Sequence, residues 1–213
     1  MLKKHALDPI KLIWLFAGSL IINTGVSFIW PLTTIYIHNY LHETLTVAGI
    51  VLFINSAFTM VGNAVGGLLF DKWHPYQTLL TGVSISTLST FLLVLFHGWP
   101  AYPILLITLG LGNGIVVTGL NSIATLIQSR NASYVFNVLY FTQNLGLVFG
   151  SLMVGFILPF GITYIFLLAF IMFAFLSIVI FFEYRGLNQA HASTNKKTTK
   201  KFLTAQKELF SLS

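Results

Sequence analysis

Between Lys11 and Arg130 the chain carries three charged side chains besides histidine, namely Glu43, Asp71 and Lys72. That avoidance of charge constrains the fold more than any other feature. A helix rises about 1.5 Å per residue, so about 20 consecutive apolar residues cross the hydrocarbon core of a bilayer. Six runs meet that length, at 12–37, 45–70, 78–96, 102–127, 134–158 and 163–182. The residues are 56% hydrophobic and only 8% charged, whereas a water-soluble domain carries roughly a quarter charged residues. The expected fold class is therefore an all-α integral membrane protein with six transmembrane helices and the lipid bilayer as its solvent. The first run is too long for the apolar core of a cleavable signal peptide and lacks a small-residue cleavage site.

The connections "HNYLHET", "DKWHPY", "HGWPA", "QSRNAS" and "PFGI" are short, so consecutive spans run antiparallel. Placing the N-terminus in the cytoplasm puts all eleven Lys and Arg residues in cytoplasmic segments, which the positive-inside rule favours. The expectation is a multi-pass protein of the cell membrane with both termini cytoplasmic. Residues 1–11 form the first cytoplasmic segment, 12–183 the bundle and 184–213 a basic linker or tail. Within that tail "KKFLTAQKELF" reads either as a short amphipathic turn on the membrane surface or as plain disordered chain. The net charge of +6 does not point to nucleic acid. Six of the eleven basic residues lie at or beyond Arg185 and three within the first eleven positions, so no basic stripe crosses a folded face.

Enzyme chemistry finds no footing. The spans hold no Asp, Glu, Lys, Arg or His in their central portions, so paired carboxylates or a nucleophile with its base are unsupported there. No cysteine is present, which excludes disulfides and thiol catalysis. His38 and His42 stand four apart beside Glu43, a spacing that suits a metal, but a solvated loop at a helix end is the preferred reading. No metal or cofactor is expected.

Uncharged polar residues are patterned. Ser19, Asn23 and Ser27 form one helical stripe on span one, with Thr24 at its edge. Span four offers Gly114, Thr118, Asn121, Ser122 and Thr125, and span five offers Asn137, Tyr140, Gln143 and Asn144. Span six has only Ser177 in its central run and is expected to face lipid all round. Trp30, next to Pro31, is expected to pack within the bundle. A buried amide without a partner costs several kcal/mol, so the stripes meet each other or water. Two readings stand, interhelical bonding that only holds the bundle together and the wall of a solute cavity. Gly62 with Gly66, and Gly146 with Gly150, are small-xxx-small pairs that allow close helix approach.

The stretch "GGLLFDKWHP" resembles the major facilitator superfamily signature between spans two and three, G-x-L-a-D-[RK]-x-G-[RK]-[RK]. Gly67, Leu69, Asp71 and Lys72 match, while His74 stands at the glycine position and Pro75 and Tyr76 where basic residues are expected. Gly146 and Gly150 are similar to the family's antiporter motif, with Ser151 in place of its proline. The span-four arginine and the span-one acid of the family are absent. The resemblance covers about residues 10–185 and is closest to the N-terminal half of the drug-efflux-like branch. It implies two six-span bundles with a cavity between them, each bundle built of two inverted three-helix repeats that rock to give alternating access. Spans one, two, four and five would line that cavity and spans three and six face lipid.

On this reading Asn23, Ser27, Thr118, Asn121 and Asn144 are the cavity candidates. Gly67, Asp71, Lys72 and Arg130 are the gating candidates, with Arg130 an inner-face partner for Asp71. The resemblance also implies that Asp71 meets a helix end in the other half when the inner side is closed. The expected function is efflux of a small neutral or apolar organic solute by the N-terminal half of a secondary transporter. The alternative is a non-transporting six-helix interaction subunit or a truncated remnant. At 213 residues the chain stops where a second six-helix half would follow. It is therefore expected to be an incomplete or truncated product, a half that pairs with another chain, or a bundle that borrows the architecture.

Overall fold

The computed structural model describes residues 10–188, all of whose regular structure is helical. Six helical segments are long and apolar enough to cross a membrane. Span one is broken into Leu12–Ser27, Trp30–Ile35 and a π-helical turn, Tyr36–Tyr40. Pro31 explains the break, because it has no N–H to give the preceding turn and is tolerated only where a helix restarts. Span two, Leu45–Lys72, begins where the Thr44 hydroxyl accepts from the Val47 amide at 3.2 Å. Span three is Pro75–Leu95 and span four Ala101–Leu126. Span five, Ala132–Ile157, is capped by the Asn131 side chain, which accepts from the Ser133 amide at 3.0 Å. A 3-10 turn, Leu158–Phe160, leads through Gly161 into span six, Ile162–Glu183. Gly161 has φ +127°, a backbone state that only glycine adopts cheaply.

The spans pack as two matched sets. Spans two and four press together at Gly62 and Gly114, where an added Cβ would collide with the Leu111 and Thr59 carbonyl oxygens. Spans one and five meet in the same manner. A Cβ on Gly146 would lie 2.7 Å from the Leu20 oxygen, and one on Gly150 2.6 Å from the Thr24 oxygen. Exchanging spans one to three for spans four to six turns the one–five contact into four–two and the three–four contact into six–one. Because the spans alternate in direction, that exchange relates two inverted three-helix repeats.

Burial is uneven. In spans one and four 56% of the most apolar stretch is buried, against 22% in span two and 17% in span five. Spans one and four are thus the core, and spans two and five stand out along one side. Span six departs from the expectation of lipid on every side. Ile165, Phe166, Ala169, Phe173, Leu176 and Ile180 are buried, and Gly25 leaves room for the Phe173 ring, 3.1 Å from where a Cβ would stand. Lipid chains are as apolar as leucine, so hydropathy alone does not separate a lipid-facing stripe from a packed one.

The segment after span six is also corrected in part. Residues 184–188 belong to the bundle rather than to a tail, since Tyr184 and Leu187 are fully buried. The Tyr184 hydroxyl donates to the Trp14 carbonyl at 2.8 Å, and the Asn188 side chain accepts from the Tyr76 amide at 3.0 Å. Burial holds the Tyr184 phenol well above the ordinary tyrosine range. The N-terminal lysines Lys3 and Lys4 and the "KKFLTAQKELF" stretch lie outside the described residues.

Candidate functional site

The polar stripe of span one turns toward span five. Ser19 and Ser27 are fully buried and Asn23 half-buried. Asn23 and Ser27 bond back one turn, Asn23 donating to the Ser19 carbonyl at 2.8 Å and Ser27 to the Asn23 carbonyl at 2.7 Å, while among the described residues the buried Ser19 hydroxyl has no hydrogen-bond partner. Such back-bonding satisfies a hydroxyl inside its own helix. Gly150 sits directly against the Ser27 Cβ, and the Asn23 Cβ lies 3.1 Å from where a Gly146 Cβ would be. Ser27 is therefore a packing residue with no surface for a solute, and Asn23 stands at the edge of the same seam.

Three other candidates fall on an open face formed by spans two, four and five. Thr118 donates to the Asn63 side chain of span two at 3.0 Å. Asn121 accepts from Gln143 of span five at 3.4 Å. Asn144 is exposed and donates to the Tyr140 carbonyl at 2.8 Å. Asn63, Asn137 and Tyr140 are exposed on the same spans, so amides and hydroxyls stand open within the apolar zone.

A cavity of about 250 Å³ opens between spans one, two and four. Its polar lining comes from Trp30, Asn55, Ser56, Thr59 and Asn113. Trp30 is 57% exposed, so it borders this space rather than packing within the bundle; the helix break before Pro31 turns it outward. Asn55 donates to the Leu106 carbonyl at 2.6 Å, and Thr59 donates to the Asn55 carbonyl at 2.9 Å. Among the described residues the Asn113 Oδ1 is buried with no hydrogen-bond partner. An unsatisfied buried acceptor costs roughly 1–3 kcal/mol. Asn55, Asn63 and Asn113 were not singled out from sequence. Asn113 sits inside "GLGNG", where the glycines draw the eye to packing, and Asn55 and Asn63 are two turns apart on a span whose glycines did the same.

The charged residues collect at the end where span two stops. Asp71 and Lys72 are exposed in its last turn, and Gly67 is half-buried with its Cα facing the Thr118 methyl. Arg130 places its guanidinium 5.9 Å from the Tyr134 ring centre. Among the described residues no ion pair joins Arg130 to Asp71, so the expected inner-face partnership is replaced by a cation–π contact on span five. At the opposite end the His38 ring nitrogen lies 3.0 Å from the Glu43 carbonyl, and no cluster of three metal-ligating side chains occurs among the described residues.

Comparison with known proteins fits this architecture. The chain is 38% identical to the uncharacterized MFS-type transporter YttB of Bacillus subtilis (strain 168) over 179 residues, which is 84% of this chain and 45% of that protein. The fold superposes on the peptide transporter POT, solved in complex with alafosfalin, with a TM-score of 0.78 at 17% identity, covering 99% of this chain and 49% of that one. The same transporter in complex with sulfate gives a TM-score of 0.77 at 16% identity. The chain thus spans about half the length of the relatives it matches. Residues 15–213 match the Major Facilitator Superfamily, and the chain is a multi-pass membrane protein that belongs to that family.

Proposed function

We propose that the chain is the N-terminal six-helix half of a secondary transporter that exports a small neutral or apolar organic solute by alternating access. The observation that carries this reading is the uncharged polar face of spans two, four and five, with Asn63, Asn137 and Asn144 exposed on helices long and apolar enough to cross a membrane. Each such amide in hydrocarbon would cost several kcal/mol, so that face meets a water-filled cavity and a second polar bundle rather than lipid. Thr118, Asn121 and Asn144 line the cavity, with Asn63 joining them. The solute is uncharged because no ionisable group in this half would compensate a buried charge. The direction is outward, as in the drug-efflux-like branch whose motif half survives at Gly67, Leu69, Asp71 and Lys72. Both termini lie in the cytoplasm of the cell, on the side that the basic residues mark.

The absence of cysteine makes the test direct. Single Asn63→Cys and Asn144→Cys variants in native membranes are expected to react with a membrane-impermeant maleimide. Phe175→Cys and Ile178→Cys, exposed on span six, are expected to stay unreacted. A cross-linker at position 144 should then capture a second six-span bundle. Equal, low reactivity at all four positions would remove the cavity. Reactivity with no captured bundle would leave the alternative, a non-transporting six-helix subunit.

A further inference from the structure

The geometry points to a binding site for one anionic phospholipid at the charged end of the seam between spans three and six, headed by Arg185. An arginine at the end of a span ordinarily snorkels away from hydrocarbon toward water. Arg185 does the opposite. Its Nε donates to the Phe181 carbonyl at 2.9 Å, and its guanidinium lies 4.2 Å from the centre of the Phe181 ring and 5.9 Å from that of Phe182. The charge is thereby folded back one helical turn toward the membrane, beside rings that are 41% and 65% exposed.

The protein does not neutralise the charge it holds there. Among the described residues Arg185 forms no ion pair, not even with Glu183 two positions earlier. A guanidinium carries five N–H donors, and the Nε–H is the one spent within the protein. The others form the planar fork that takes a phosphate bidentately. Capping the last carbonyls of span six accounts for the Nε bond and leaves that fork without a role.

A tail has a place beside the head. The Tyr76 hydroxyl donates to the same Phe181 carbonyl at 3.3 Å, which brings the start of span three against Arg185. From Tyr76 a stripe at four-residue spacing, Leu80, Ser84 and Leu88, runs along the span. With Thr81 and Ile85 it lines an open groove of about 360 Å³. Thr81 spends its hydroxyl on the Gln77 carbonyl at 2.8 Å, so the groove offers mainly aliphatic carbon, which suits an acyl chain. The cation of a zwitterionic headgroup would meet the guanidinium with like charge, so the favoured headgroup is negative overall. A free phosphate would leave the groove empty.

The test titrates phosphatidylglycerol and phosphatidylcholine of matched chains into the full chain in detergent. Native mass spectrometry reads the dissociation constant of the first bound lipid. Phosphatidylglycerol is expected to bind the unaltered chain about fivefold more tightly, the weight of one basic residue. Arg185→Gln should remove that preference. Arg130→Gln, which takes the same charge from beside the Tyr134 ring, should keep it. Ser84→Trp, whose ring would fill the groove, should weaken both lipids together, and it reads the site from span three should Arg185→Gln fail to fold. Glycerol 3-phosphate should not displace the lipid.

Equal loss of preference in Arg185→Gln and Arg130→Gln would show attraction to net charge alone and overturn the site. So would an undiminished preference in Arg185→Gln, or unaltered binding in Ser84→Trp. Displacement by glycerol 3-phosphate would replace the lipid with a free phosphate. The inference does not depend on transport, since binding is read without flux.

Discussion

At the scale of single residues, the glycines separate what spacing reveals from what it hides. Gly62, Gly66, Gly146 and Gly150 are legible as close-approach positions because four-residue spacing of small side chains puts them on one helix face, and all four lie against backbone of a neighbouring span. The same spacing says nothing about which neighbour, and Ser27 shows the consequence. It shares a stripe with Asn23 yet is sealed under Gly150. The contrast between crowded and open glycines gives a direct measurement. In Gly114→Ala the new Cβ would run into the Thr59 carbonyl oxygen, and the Asn63 amide nitrogen lies 2.8 Å from it. Such a backbone neighbour moves only if the helices part, so the variant should lose about 1–3 kcal/mol. Gly155→Ala meets nothing within 4 Å and should stay within about 0.5 kcal/mol. Thermal denaturation in detergent reads both, and equal loss at the two positions would show that the two–four seam is not tightly packed.

At the scale of elements, the six helices were readable because length and hydropathy answer directly to bilayer thickness. Their ends were less so. The composition changes at Arg185, yet the fold does not, because Tyr184 and Leu187 still bury themselves between spans and Asn188 reaches back to cap span three. A polar side chain that caps a helix looks in sequence like the start of a tail. Tyr76, which stands where the family signature has a basic residue, gives its amide to Asn188 and its hydroxyl to the Phe181 carbonyl at 3.3 Å. The chain thus has a clasp to span six where the family signature has a basic residue. Asn188→Ala removes the acceptor of an amide in the first helical turn, where no intrahelical partner exists. Hydrogen exchange at Tyr76 should accelerate by about fivefold, the weight of one net hydrogen bond, while exchange in the middle of span three holds. Asn188→Asp, which keeps an acceptor oxygen, should restore the slow exchange. Acceleration of the whole span would mean that Asn188 supports packing rather than this one amide.

At the scale of the whole molecule, spans one and four are buried while spans two and five stand out, and on the reading proposed above a second six-helix half covers that outstanding side. Asp71 lies at the foot of the outstanding span two, exposed and at the negative end of its own helix dipole, where a carboxylate gains nothing locally. On the reading proposed above, its stabilising partner is the positive N-terminal end of a helix in the covering half, reached when the cytoplasmic side closes. Such a contact is worth about 0.3–1 kcal/mol when exposed and up to about 2 kcal/mol when partly buried. Asp71→Asn keeps the shape and removes the charge, so it should destabilise the closed state by that amount. The closing step of the assembled transporter should slow by a factor of about two to thirty, at 1.36 kcal/mol per tenfold, with little change in the KM for solute because Asp71 stands about two turns beyond Asn63 on span two, outside the residues proposed to line the cavity. Lys72→Ala, beside it, should leave the rate nearly unaltered, since its charge already suits the C-terminal end of span two. Flux measured in proteoliposomes separates the two. A rate that is unchanged in Asp71→Asn, or one that falls equally in Lys72→Ala, would reduce the pair to a marker of membrane orientation and leave the gate to be sought elsewhere in the interface.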